Sequence, residues 1–217
     1  LLNLKEKNNY WRKNMIKGLI LGLTLTTLIA SPLSLAEEST TTVDDTQLNT
    51  YRQAIKQLGG SLKEELQKAM KAGGPIAALE ICYDKAPKIS SEVSQNQGFS
   101  VGRTSLKSRN SSNAPKPWQI EVLEQFEARK AAGEDVKKLE YYEVVDKDDG
   151  GHQVRYMKAI PTAQVCLTCH GSEMAPEIVS KLDELYPEDK ARGFQVGDIR
   201  GAFSIISDGV SNKMMND

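Results

Sequence analysis

The sequence predicts an α+β fold in which N-terminal helices accompany a small antiparallel sheet. Apolar residues recur at threes and fours between residues 48 and 93, the spacing of amphipathic helices. Asp148-Asp149-Gly150-Gly151 separates two runs of β-forming residues, a hairpin signal. Helical and extended patterns lack the regular alternation that a parallel sheet demands, and no repeat of fixed period is present.

Taken in order, residues 1–36 read as a segment outside the fold. Arg12, Lys13 and Lys17 precede an apolar run over 18–30, and Ser34-Leu35-Ala36 supplies a small-x-Ala cleavage site. This predicts a secretory signal peptide cleaved near Ala36, with Met15 a candidate true start. The apolar run falls short of the roughly 20 residues that cross a bilayer, so stable membrane insertion after cleavage is not expected. Cleavage leaves Glu37 rather than a lipoprotein cysteine, which points to export into the periplasm. Residues 37–46 (EESTTTVDDT) are polar and predict a flexible leader, leaving 47–217 as the folded domain.

Within that domain, Leu48, Tyr51, Ile55, Leu58, Leu62, Leu66 and Met70 predict a helix over 48–71, with Gly59-Gly60 the expected point of a bend. Gly73-Gly74 ends it and Pro75 opens another. Leu79, Cys82, Ala86, Ile89 and Val93 fall on one face of the second helix, which Pro87 is expected to kink or interrupt. Residues 99–105 predict a strand, 107–117 (KSRNSSNAPKP) a loop, and Pro117 the start of a third helix ending near Gly133. Strands follow at 140–145 and 153–160, joined by the hairpin turn, and a last strand at 200–207.

Composition narrows the function classes. The 217 residues are 39% hydrophobic and 26% charged, the profile of an ordinary globular chain. Removal of residues 1–36 leaves 23 basic against 28 acidic side chains, a net charge of −5. That balance argues against nucleic acid or an anionic membrane as partner. Three cysteines are too few for a disulfide scaffold.

Two of those cysteines lie in Cys166-Leu167-Thr168-Cys169-His170, which matches C-x-x-C-H, the attachment sequence of haem c. Thiols three positions apart on a helical turn can add to the two vinyl groups along one edge of a porphyrin. His170 then falls beneath the iron as an axial ligand. A thioredoxin-like redox pair is disfavoured because no βαβ pattern surrounds the motif, and zinc would need a further ligand pair. The expected cofactor is therefore one covalent haem c, held through Cys166 and Cys169.

The sixth position decides what such an iron does. His152 stands at the hairpin beside two glycines, where a solvated side chain is the simpler reading. Met70, Met157, Met174, Met214 and Met215 are scattered, and Met174 is too near His170 to reach the opposite face. Cys82 is a lone thiol on an apolar helix face, so burial as an inert small hydrophobe and ligation of the iron both fit.

The segments AALEICYDKAP (77–87), VGRTSLKSRNSSNAP (101–115) and AQVCLTCHG (163–171), with Tyr186-Pro187 and GDIRGA (197–202), resemble a family of c-type haem proteins with a PAS-like sheet. The resemblance spans nearly all of the chain after residue 36, and its most specific parts are RTSLKSRN and CLTCH. It implies a PAS-like antiparallel sheet with helices packed around one haem, and axial ligation by His170 and Cys82. Arg103, Lys107 and Arg109 read either as solvated surface charges or as partners of the haem propionates; Arg103 and Arg109 are the stronger candidates.

Three functions fit such a site. The first is low-potential electron transfer by a six-coordinate iron that serves an unidentified periplasmic redox protein. The second is a redox or gas sensor acting on a separate partner, since the chain carries no output domain. The third, a peroxidase-type enzyme, needs a polar distal catalyst that two histidines, one already spent, do not supply. The expectation is a carrier and not an enzyme.

Overall fold

The structure, a computed structural model, describes residues 43–208; the expected signal peptide, Met15, most of the leader, Met214 and Met215 lie outside the described residues. The first helix, α1 (Asp45–Gln97), starts inside the segment expected to be a flexible leader. Asp44 caps it by accepting from the Gln47 N–H at 2.7 Å, and Val43 is already buried in the core. Its far end closes at Gly98, whose φ of 74° lets its N–H reach the Ser94 carbonyl.

The chain turns at Gly73 and Gly74, where the sequence ends one helix and opens the next, and the bend expected at Gly59-Gly60 is absent. Gly74 adopts φ 71° and ψ −161°, a conformation that other residues scarcely reach, so the glycine pair turns the chain between two helical arms, 45–72 and 75–97. Gly59 has another use. A Cβ there would sit 3.1 Å from the tip of the Phe203 ring, so its absence lets the first arm lie close on the sheet. Pro87 does not interrupt the second arm. Pro87 and Tyr83, whose carbonyl loses its partner, are both exposed, and solvent can satisfy that carbonyl.

Strand β1 (Ser100–Thr104), helix α2 (Pro117–Ala131), strands β2 (Glu140–Asp146) and β3 (His152–Pro161), single-turn helix α3 (Leu167–His170), helix α4 (Pro176–Leu185) and strand β4 (Ile199–Asp208) follow. The sheet runs β1-β4-β3-β2 with every neighbouring pair antiparallel. This is the α+β class and the antiparallel sheet that the sequence predicts. Helix α4 is an addition to the elements expected from sequence, although Pro176 in its first turn and Ile178 and Leu182 on one face are the usual signals.

Both faces of the sheet are covered, which the period of two explains. Val154, Tyr156 and Ile205 meet Tyr51, Ile55 and Leu58 of α1. Met157, Ala159 and Ala202 point the other way and meet Val122, Leu123 and Phe126 of α2. Gln119 of α2 is buried there and donates to the Ser204 hydroxyl of β4 at 2.7 Å, satisfying both groups. A third cluster joins Leu79 of the second arm to Ile178, Leu182 and Tyr186, with Cys169 packed against it. Among the described residues no helix is long and apolar enough to cross a membrane.

Candidate functional site

The register of β3 against β4 shifts between Ile160 and Pro161, and the chain then leaves the sheet. Proline has no N–H for the ladder, so the strand ends there. A 3-10 turn over Gln164–Cys166 runs directly into α3, and this one turn carries Cys166, Cys169 and His170. All three, with Cys82, line one cavity of about 560 Å³, within the usual size range of ligand sites. The bend at Gly73-Gly74 makes this possible, because the first arm contributes Leu62, Leu66 and Met70 to the wall and the second Leu79 and Cys82.

His170 is fixed from behind. The Ala191 carbonyl lies 2.8 Å from its Nδ1, and a carbonyl only accepts, so Nδ1 carries the proton and Nε2 keeps its lone pair. Arg200 Nε donates to that Nε2 at 3.4 Å. Burial, reinforced by the charges of Arg200 and Arg109, pulls the imidazole pKa down to about 3, so the ring is neutral in ordinary buffers. A neutral imidazole whose Nε2 lone pair is held only by this long contact is the form that binds a metal.

A strap of backbone, residues 189–194, holds α3 in place. Phe194 N–H donates to the His170 carbonyl at 2.9 Å and Gly193 N–H to the Gly171 carbonyl at 3.1 Å. Gly171 is needed for a tight exit, since a Cβ there would lie 2.7 Å from the Leu167 carbonyl oxygen. The strap is anchored by Asp189, whose side chain is fully buried and accepts from Arg109 Nε at 3.2 Å, Arg192 Nε at 3.0 Å and the Ala191 N–H at 2.9 Å. Burial pushes the Asp189 carboxyl up, but the hydrogen bonds from Arg109 and Ala191 outweigh it and hold the group below the usual range.

Among the residues singled out from sequence, Arg103 and Arg109 both reach the cavity wall. Arg109 is otherwise engaged: besides Asp189 it donates to the carbonyls of Cys169 and Ala191. Arg103 is half-buried, desolvation lowers its pKa, and its charge faces Cys82 and Tyr186. Burial pushes the Cys82 thiol up, opposed by the charges of Arg103 and Arg109, and burial likewise raises Cys169. His152 stays at the hairpin, its Nδ1 2.8 Å from Asp146 Oδ1, away from the cavity lining. Met70 lines the cavity, Met157 is core and Met174 packs on the α4 cluster.

Sequence reasoning missed Asp189, Ala191 and Arg200. Arg200 stood within the GDIRGA block, but nothing in its spacing tied it to the histidine. Gly201 explains its placement. With φ 155°, a Cβ at Gly201 would lie 2.3 Å from the Thr104 carbonyl oxygen, so glycine lets β4 press on the end of β1. Ser105 then donates to the Arg200 carbonyl at 2.8 Å and holds the residue over the cavity. Among the described residues, no three His, Cys, Asp or Glu side chains converge closely enough to hold a bare metal ion.

Comparison with known proteins agrees with this architecture. Among solved structures, the crystal structure of the cyanobacterial heme-protein Tll0287 matches with a TM-score of 0.58 and 22% sequence identity. That match covers 78% of this chain and 99% of the other. No curated protein sequence matches. A family model described as Tll0287-like matches residues 31–207, and the chain therefore belongs to the Tll0287-like family.

Proposed function

We propose that the cavity holds one haem c, attached through thioethers at Cys166 and Cys169, with the iron between His170 and Cys82, and that the protein carries electrons in the periplasm. One observation carries this reading: three thiols and a neutral imidazole line a single, mostly apolar cavity without converging on a point. That donor set fits an extended, planar, metal-centred group better than a bare ion. The cyanobacterial protein of matching structure is a heme-protein, which supports the same reading.

A haem iron supplies one-electron chemistry, and the chain supplies its surroundings. The 3-10 turn that ends at Cys166 and α3, which carries Cys169, present the two thiols, and the Ala191 carbonyl orients His170. The apolar arms of α1 exclude water, which together with a thiolate ligand lowers the reduction potential. With both axial positions taken, the reading is a carrier and not an enzyme. A sensor reading uses the same site: burial disfavours the Cys82 thiolate, so Cys82 would be a weakly held ligand that a gas can displace.

The test is spectroscopic. Haem should stay with the denatured polypeptide through acetone extraction; extractable haem rejects covalent attachment. Cys82→Ser should abolish the thiolate-type absorption of the oxidised protein, and an unchanged spectrum rejects Cys82. The reduced wild-type protein should not take up carbon monoxide, and rapid uptake favours the sensor.

A further inference from the structure

We infer that the cavity is built for a ligand bearing two carboxylates, received by Arg103 of β1 and Arg200 of β4. On the reading just given, which this inference rests on, these are the two haem propionates. Lys63, Arg103, Arg109 and Arg200 line the cavity, and no Asp or Glu does so among the described residues. The chain as a whole carries 28 basic and 29 acidic side chains, so the charge of this one surface is set apart from the rest. Guanidinium groups in an apolar wall are costly unless an anion meets them.

Arg109 has its anion in buried Asp189 and is committed to the strap. Neither Arg103 nor Arg200 forms a salt bridge with a described carboxylate; Arg109 and Arg103 repel Arg200, and Asp189, already held by Arg109 and Arg192, attracts it only through space. Arg200 reaches His170 Nε2 at 3.4 Å, Ser105 Oγ at 3.2 Å and the Lys107 carbonyl at 3.3 Å. All three contacts are longer than the 2.9–3.0 Å typical of a good N–H donor bond, so a carboxylate would replace them favourably. The strand register pairs Arg103 with Phe203, so Arg103 and Arg200 stand on neighbouring strands and both line the cavity, close enough for the charge of one to act on the other. Two separate forks suit two separate carboxylates.

The experiment uses matured holoprotein whose haem carboxyl carbons carry ¹³C, introduced by feeding labelled 5-aminolevulinate. Infrared spectra follow the labelled carboxyl groups against pH in wild type, Arg103→Gln, Arg200→Gln and Arg109→Gln. An opposite charge at contact lowers a carboxyl pKa by about 1–3 units. Wild-type carboxyls should stay ionised about one unit or more below the ordinary carboxylate range, and one of them should return toward that range in each of Arg103→Gln and Arg200→Gln. Arg109→Gln should move them less. Equal titration in wild type and in both of the first two variants overturns the inference and leaves the haem reading standing. A preparation in which no labelled haem stays with the chain overturns both. Should a glutamine variant fail to mature, wild type decides: carboxyls titrating in the ordinary range overturn the assignment.

Discussion

Replacing Asp189 by Asn should unfasten the strap behind His170. The substitution keeps the shape and removes the charge, leaving the Arg109 guanidinium, 11% exposed, without its carboxylate. Breaking a buried pair from one side costs about 3–5 kcal/mol. Arg109 keeps the Cys169 and Ala191 carbonyls as acceptors, which puts the expected loss near the low end, about 3 kcal/mol. Urea denaturation of the matured protein at pH 7 measures it. Asp84→Asn, which removes an exposed i,i+4 pair with Lys88 on α1, is the control and should cost only about a few tenths of a kcal/mol. The pH dependence gives a second check. Asp189 has a folded pKa held below its unfolded value, so its stabilisation is complete above the unfolded value of about 3.9 and disappears as pH falls through the folded one. The gap between wild type and Asp189→Asn should therefore narrow only in that acid window. A loss below about 1 kcal/mol at pH 7, in the range of an exposed pair, would refute the view that this pair anchors the strap.

Gly201→Ala places a Cβ 2.3 Å from the Thr104 carbonyl oxygen at φ 155°, so the end of β1 must move; a loss of about 2–3 kcal/mol is expected in urea titrations. An alanine variant within about 0.5 kcal/mol of wild type would show that β1 and β4 do not need this approach. Gly74→Ala should cost on the order of 2 kcal/mol at the bend of α1 and displace Cys82, read as a changed spectrum of the oxidised holoprotein. An unchanged spectrum in a destabilised variant would separate the bend from the site. Phe126→Ala, at a fully buried position between α2 and the sheet, should cost about 3–5 kcal/mol by the same denaturation assay without altering the spectrum.

Much of the fold is legible in the sequence because local rules and packing agree. The hairpin between β2 and β3, the start of α2 at Pro117 and the strand character of β1 and β4 all follow from turn chemistry and alternation. The break at Gly73-Gly74 is legible because Pro75 follows it, whereas Gly59-Gly60 has the same local propensity and yet stays helical. Phe203, 144 residues beyond Gly59, gives that glycine its packing role, while the ε conformation of Gly74 takes the turn. Pro87 departs from expectation for a similar reason, since its cost depends on whether the orphaned carbonyl meets water.

The sequence by itself determined the C-x-x-C-H motif, since Cys166, Cys169 and His170 lie within five residues and need no partner from elsewhere to be read. It also determined the α+β class, through periodicities that act over a few residues. Only the tertiary structure decided that Cys82 faces the same cavity, that Ala191 sets the tautomer of His170, and that Arg200 reaches the histidine's other nitrogen. These residues stand 21 to 88 positions from His170 in the chain. Chain entropy leaves such pairs undetermined until the bend at Gly73-Gly74 and the close approach at Gly201 bring their backbones together.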